Sequence, residues 1–212
     1  YEMYVNMLEE AISKFKGEGG GEKSQRSVVT TVDLIIDAHI PDSYIMNEEQ
    51  KLEIYKRIAA FTSFEEGEEM RDELKDRFGS VPDSVENLIR VSCMRMRAGR
   101  LFITDIKNDS SHISMKLKPD APLDPGYLPD LINSYRGRLK FHSGTKPEFV
   151  YSWRQIPGTS RSSEELMKDT DMLLSDMETA FIEKRPPEIH KNLNKKPPSG
   201  TAASAKAVIK LR

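Results

Sequence analysis

The chain has 212 residues, 37% of them hydrophobic and 31% charged, enough for one domain of ordinary size with a packed core plus appendages. A net charge of −2 excludes a global field that would draw the chain to nucleic acid or to an anionic membrane. A single cysteine, Cys93, excludes an internal disulfide framework and fits a reducing cytoplasm, and no apolar run reaches the roughly 20 residues of a membrane span or forms a signal peptide.

Residues 1–17 place Met3, Tyr4, Met7, Leu8, Ala11, Ile12 and Phe15 at helical spacing, so an amphipathic helix is expected there. Because the chain opens inside that pattern, it reads as a piece of something longer. The glycine-rich run from Gly17 to Ser24 lacks the order of a phosphate-binding loop, and residues 18–27 are read as a flexible linker. From Val28 to Ile40 β-branched residues dominate, with Val32, Leu34 and Ile36 alternating against Asp33, Ile35 and Asp37. That pattern predicts a strand ending at Pro41.

Three helices follow. Asn47 and Gln50 have capping-box spacing, and Leu52, Tyr55, Ile58 and Ala59 form the expected inner face. Ser63 and Glu66 open the next helix, which carries Leu74 and Phe78 on one face and stops at Gly79, read as a left-handed C-terminal cap. Pro82 starts a third, with Val85, Leu88, Ile89, Ser92 and Met96 on one side. Then the period changes. Ile103 to Lys107 and His112 to Lys118 read as a hairpin about the turn 108–111, and a short helix runs from Asp124-Pro125 to Gly137. Arg138 to His142 and Phe149 to Trp153 read as a second strand pair. Ser162 and Glu165 cap a last helix that Pro186-Pro187 ends. The fold class is therefore α+β: a three-helix layer, then hairpin, helix and hairpin, closed by a C-terminal helix. The domain spans 28–185, and 186–212 is a basic tail, with six bases against one acid from Glu188 onward.

The search for chemistry turns up little. His39, His112, His142 and His190 are scattered, with no zinc-ligand spacing. Cys93 sits beside Met94 and Met96 on a helix and reads as a small buried hydrophobe. No nucleophile motif and no dinucleotide fingerprint is present, so the chain is read as non-catalytic, with no cofactor of its own. Charge patterning says more. From Ser63 to Phe78 seven acids face three bases, and from Leu88 to Arg100 four arginines stand without an acid. Either the neighbouring helices neutralise each other, or the acidic helix meets a basic partner. A nucleic-acid reading of Arg90 to Arg100 with the basic tail is the alternative, though the run lacks interleaved aromatics. Glu73 and Asp76, three apart on that acidic helix, are the candidate contact residues.

Four stretches carry a family resemblance: Tyr4 to Ala11; Ile40-Pro41-Asp42-x-Tyr44-Ile45; Leu52-x-x-Tyr55-Lys56-Arg57-Ile58-Ala59; and Glu73-Leu74-x-Asp76-Arg77-Phe78-Gly79-x-x-Pro82. Their order over roughly 1–155 resembles the C-terminal end of the bacterial transcription-repair coupling factors, cytoplasmic ATP-driven DNA translocases that remove stalled RNA polymerase and recruit nucleotide excision repair. The resemblance implies that 1–17 closes the second motor lobe. The motifs that handle ATP and Mg, and the lobes that hold DNA, would lie upstream. It further implies that 28–185 is a regulatory domain packed on an N-terminal UvrB-like module of the same protein, where it masks the surface for UvrA. Glu73 and Asp76 fall where the family's acids face arginines of that module.

Overall fold

The computed structural model describes residues 28–153, 161–184 and 186–187. The expected N-terminal helix over 1–17, the linker over 18–27 and the tail beyond Pro187 lie outside the described residues. Within them the chain folds as β1 (Thr31–Asp33), α1 (Glu48–Ala59), α2 (Phe64–Phe78), α3 (Asp83–Arg100), β2 (Ile103–Asn108), β3 (His112–Leu117), α4 (Leu128–Ser134), β4 (Leu139–His142), β5 (Glu148–Ser152) and α5 (Ser163–Phe181). The α+β architecture of three helices, hairpin, helix, hairpin and closing helix is as expected.

The two hairpins do not stand apart. β3 pairs antiparallel with β5, and β1 pairs parallel with β2, giving one mixed sheet in the order β1-β2-β3-β5-β4. Its inner face carries Ile106, Ile113, Met115, Leu139, Phe149 and Tyr151, packed with Leu173, Leu174 and Met177 of α5 and with Met94 and Ala98 of α3. The outer face is polar, and Lys116 lies there between Asp105 and Glu148 on the neighbouring strands. A second core, Ile40, Ile45, Ile54, Ile58, Met70, Leu74, Val85 and Ile89, holds the helical layer together. α3 serves both, its first half in the helical core and its second half under the sheet.

Several local expectations need revision. The strand expected over Val28 to Ile40 pairs only from Thr31 to Asp33, because its one neighbour, β2, ends at Asn108. Beyond that point the alternation of inward Val32, Leu34 and Ile36 persists, but the backbone is satisfied by side chains. Ile35 N–H donates to Asn108 Oδ1 at 2.7 Å, and Asn87 Nδ2 donates to the Asp37 carbonyl at 2.8 Å. In α1 the buried residues are Lys51, Ile54 and Ile58 rather than a face centred on Leu52. Lys51 turns in because Asp42 and Glu48 take its ammonium, at 2.5 and 2.8 Å. Gly79 does have a positive φ of 86°, yet its ψ of −154° is extended rather than left-handed helical. That is still a conformation which only glycine enters at little cost. Regular helix in α4 begins at Leu128, after a turn in which Asp124 Oδ1 accepts from Gly126 N–H at 2.9 Å.

The N-terminal segment leans closely on the end of α3. A Cβ at Gly99 would stand 2.8 Å from the Val28 carbonyl oxygen. Gly99→Ala would gain helix propensity of about 1 kcal/mol but must displace backbone. We expect a net loss of about 1–2 kcal/mol in urea unfolding. A stabilised variant would show that the segment at 28–30 yields freely.

Candidate interaction surface

Three of the stretches that carry the family resemblance converge in the helical layer. The Tyr44 hydroxyl lies 3.0 Å from the Leu74 carbonyl and 3.3 Å from that of Gly79, and its ring lies 5.8 Å from Phe78. It thereby ties the last turn of α2 to the residue that ends it. The Tyr55 hydroxyl accepts from Ile40 N–H at 2.8 Å, tying the second stretch to the first. Arg57 grips Glu73 with both terminal nitrogens, at 2.8 and 2.5 Å, tying the second to the third. The motifs are thus one hydrogen-bonded knot that fixes how α2 is presented.

The structure separates the two candidate acids. Glu73 faces α1, held by Arg57 and, at 2.7 Å, by Arg77 one turn on. The hydrogen bonds from Arg57, and then those from Arg77, hold its carboxyl down to about 2. Asp76 is exposed and, among the described residues, has no hydrogen-bond or ion-pair partner. It continues a line Glu65, Glu69, Asp72, Asp76 whose spacing puts all four on the outward face of α2. Glu65 is bound at the helix start by backbone and by Ser63, which lowers its pKa, while Glu69 and Asp72 are as open as Asp76.

Glu73 sets a pH dependence. Its folded pKa lies below the unfolded value near 4.5, so the stability it contributes is complete above that value and is lost as pH falls through about 2. The pair is partly exposed, so wild type and Glu73→Gln should differ by about 0.5–1 kcal/mol at neutral pH. Urea unfolding from pH 7 downward should show that gap closing below pH about 4. A gap that persists at pH about 2 would mean that Arg57 and Glu73 act through packing rather than charge.

The arginines of α3 do not neutralise α2. Arg97 Nε and Nη2 bind Glu178 of α5 at 3.0 and 2.7 Å, and Arg90 reaches Asp171 of α5 at 3.4 Å. Arg95 is largely buried and donates to the Ala59 carbonyl at the end of α1, where the helix dipole favours a cation. Burial pulls the Arg95 pKa down. Among the described residues the ion pair that joins α2 to α3 is Arg71 with Glu86, at 2.8 Å. Three of the four arginines from 90 to 100 are therefore committed within the domain, which removes most of the basic surface that the nucleic-acid reading needs. The acidic excess of α2 remains turned to solvent.

Among the described residues, chemistry of other kinds is not assembled. Asp109, Ser111 and His112 meet at the β2–β3 turn, with Asp109 Oδ2 3.0 Å and Ser111 Oγ 3.1 Å from His112 Nδ1. Both partners address the same ring nitrogen, so the imidazole cannot take a proton from one while the other orients it. Asp109 instead closes the turn by accepting from Ser111 and His112 N–H at 2.6 and 3.0 Å. Burial pushes the Cys93 thiol up, away from nucleophilic character. Among the described residues no three His, Cys, Asp or Glu side chains converge on a point that could hold a metal. None of the described helices is long and apolar enough to cross a membrane.

Comparison with known proteins agrees with this arrangement. The TRCF domain family matches residues 34–128, a stretch that includes all of the hydrogen-bonded knot. The chain is 34% identical over 137 residues to the transcription-repair-coupling factor of Bacillus subtilis (strain 168), an alignment covering 64% of this chain and 11% of that protein. It is 35% identical over 121 residues to that of Staphylococcus aureus (strain USA300), covering 57% and 10%. The chain thus spans about a tenth of the length of these relatives. A solved C-terminal domain of transcription-repair coupling factor shares the fold, with a TM-score of 0.60 and 23% identity over 74% of this chain and 97% of that one. Through its TRCF-domain match over residues 34–128, the chain is similar to the transcription-repair-coupling factors.

Proposed function

We propose that this chain is the non-catalytic C-terminal regulatory domain of its parent protein. It holds an ATP-dependent DNA translocase in check by packing on the N-terminal UvrB-like module and covering the surface that UvrA would bind. The observation that carries this reading is the outward face of α2. Glu69, Asp72 and Asp76 are exposed there with no hydrogen-bond or ion-pair partner among the described residues, whereas the arginines of α3 at 90, 95 and 97 are paired within the domain. A polar interface of this kind makes a reversible latch, since a coupling of about 1–3 kcal/mol can be overcome by modest competing contacts. RNA polymerase and DNA enter only through the rest of the parent.

The test is binding of this chain to the separately expressed N-terminal module across a salt series, with Asp76→Lys as the variant. Asp76 is chosen over Glu73 because its reversal disturbs no internal ion pair. Salt-sensitive binding that weakens about tenfold or more with Asp76→Lys, at unchanged thermal stability, is the expected result. Equal binding by wild type and variant would sink the latch.

A further inference from the structure

Between α2, α3 and α5 the packing leaves a cleft of about 140 Å³. Gly67, Ile89 and Cys93 line it, and the ring of Phe64, 45% exposed, forms one lip. At its floor Gly67 lets α2 approach α3 closely: a Cβ there would lie 3.2 Å from Cys93 Sγ and 3.5 Å from Ile89 Cγ2. A cavity of roughly this volume admits a benzene ring. Four charged residues complete its lining and are already used, Arg71 by Glu68 at 2.7 Å and Arg90 by Asp171 at 3.4 Å. What remains on offer is apolar space beside an exposed aromatic ring. Roughly 90° and 150° round the same helix stand the open acids Asp72 and Glu69.

We propose that this cleft is an anchor pocket for one large apolar side chain, carried by a basic polypeptide whose lysines or arginines lie along the outward acids of α2. The proposal rests on the docking role given above to that acidic face, and adds what the face lacks. Exposed charges set orientation and encounter rate, whereas affinity concentrates in a few buried apolar anchors. The occupant is basic because the open charges beside the cleft are acids; the bases at its rim are already paired.

Cys93 is the only cysteine in the chain, so its alkylation by N-ethylmaleimide reports occupancy of the cleft in the intact protein. The raised thiol pKa calls for reaction at pH about 9, where lysine side chains stay mostly charged. Three pentapeptide probes serve: phenylalanine between two lysine pairs, glycine between two lysine pairs, and phenylalanine between two glutamate pairs. The first should slow alkylation about threefold or more at concentrations where the other two have little effect. The double variant Glu69→Lys/Asp72→Lys, changed only at exposed positions, should lose that protection. Equal protection by the phenylalanine and glycine lysine peptides overturns the anchor while leaving the acidic docking face standing. Equal protection by the lysine and glutamate phenylalanine peptides overturns the basic partner and the docking role of α2 with it. Absence of protection by any of the three overturns the proposal outright.

Discussion

Replacing Arg97 by Met should lower the unfolding free energy by about 3 kcal/mol, because it leaves a buried carboxylate without its cation. Arg97 and Glu178 have side chains only 12% and 18% exposed, and Arg97 Nη1 also lies 3.5 Å from Asp171. Glu178 Oε1 is already buried without a partner, so Oε2 has no solvent to turn to once the guanidinium goes. Burial already raises the Asp171 pKa, with Arg97 and then Arg90 opposing it, and loss of Arg97 should raise it further. The doubly substituted Arg97→Met/Glu178→Met protein should recover at least half of the loss, since removing both charges removes the desolvation cost. Urea unfolding of the three proteins checks this. A single-substitution cost under about 1 kcal/mol would mean that water reaches the pair.

Leu74→Ala should cost about 3 kcal/mol, within the range of roughly 2–5 for a buried leucine, and the damage should be local at first. Leu74 is fully buried in the helical core, and its carbonyl accepts from Tyr44. That core is joined to the sheet core by the strap ending at Ile40 and by α3, whose Val85 and Ile89 serve one and Met94 and Ala98 the other. Native-state hydrogen exchange should therefore show protection falling in α1 and α2 by more than in β3 and β5. Equal loss across both would show that α3 couples the two cores into one cooperative unit. In the full parent, weakening α2 in this way should also weaken any contact that its outward face makes.

What was legible from sequence is what a few neighbouring residues decide. Ser162 and Glu165 form a complete capping box, and Asn47 and Ser63 accept from the N–H groups three residues on. The Glu66 carboxylate nevertheless reaches one residue past the expected box, to Thr62 N–H and hydroxyl at 2.8 Å. Both hairpins and the start of the closing helix lie within a residue or two of their expected bounds, because turn chemistry and side-chain period act over a single turn, whereas that helix ends at Phe181, before the expected stop at Pro186-Pro187. The acidic character of α2 was visible for the same reason. Tertiary structure alone decided which acids are open. Arg57 lies sixteen residues before Glu73, and Asp171 and Glu178 lie more than seventy beyond the arginines they hold. No local spacing encodes those pairs; they form because the buried faces of α1, α3 and α5 fix where each helix stands. For the same reason a continuous alternating strand pattern became three paired residues and a strap. The pattern sets which side chains turn inward, but a ladder also needs a neighbour long enough to pair with, and β2 ends too soon.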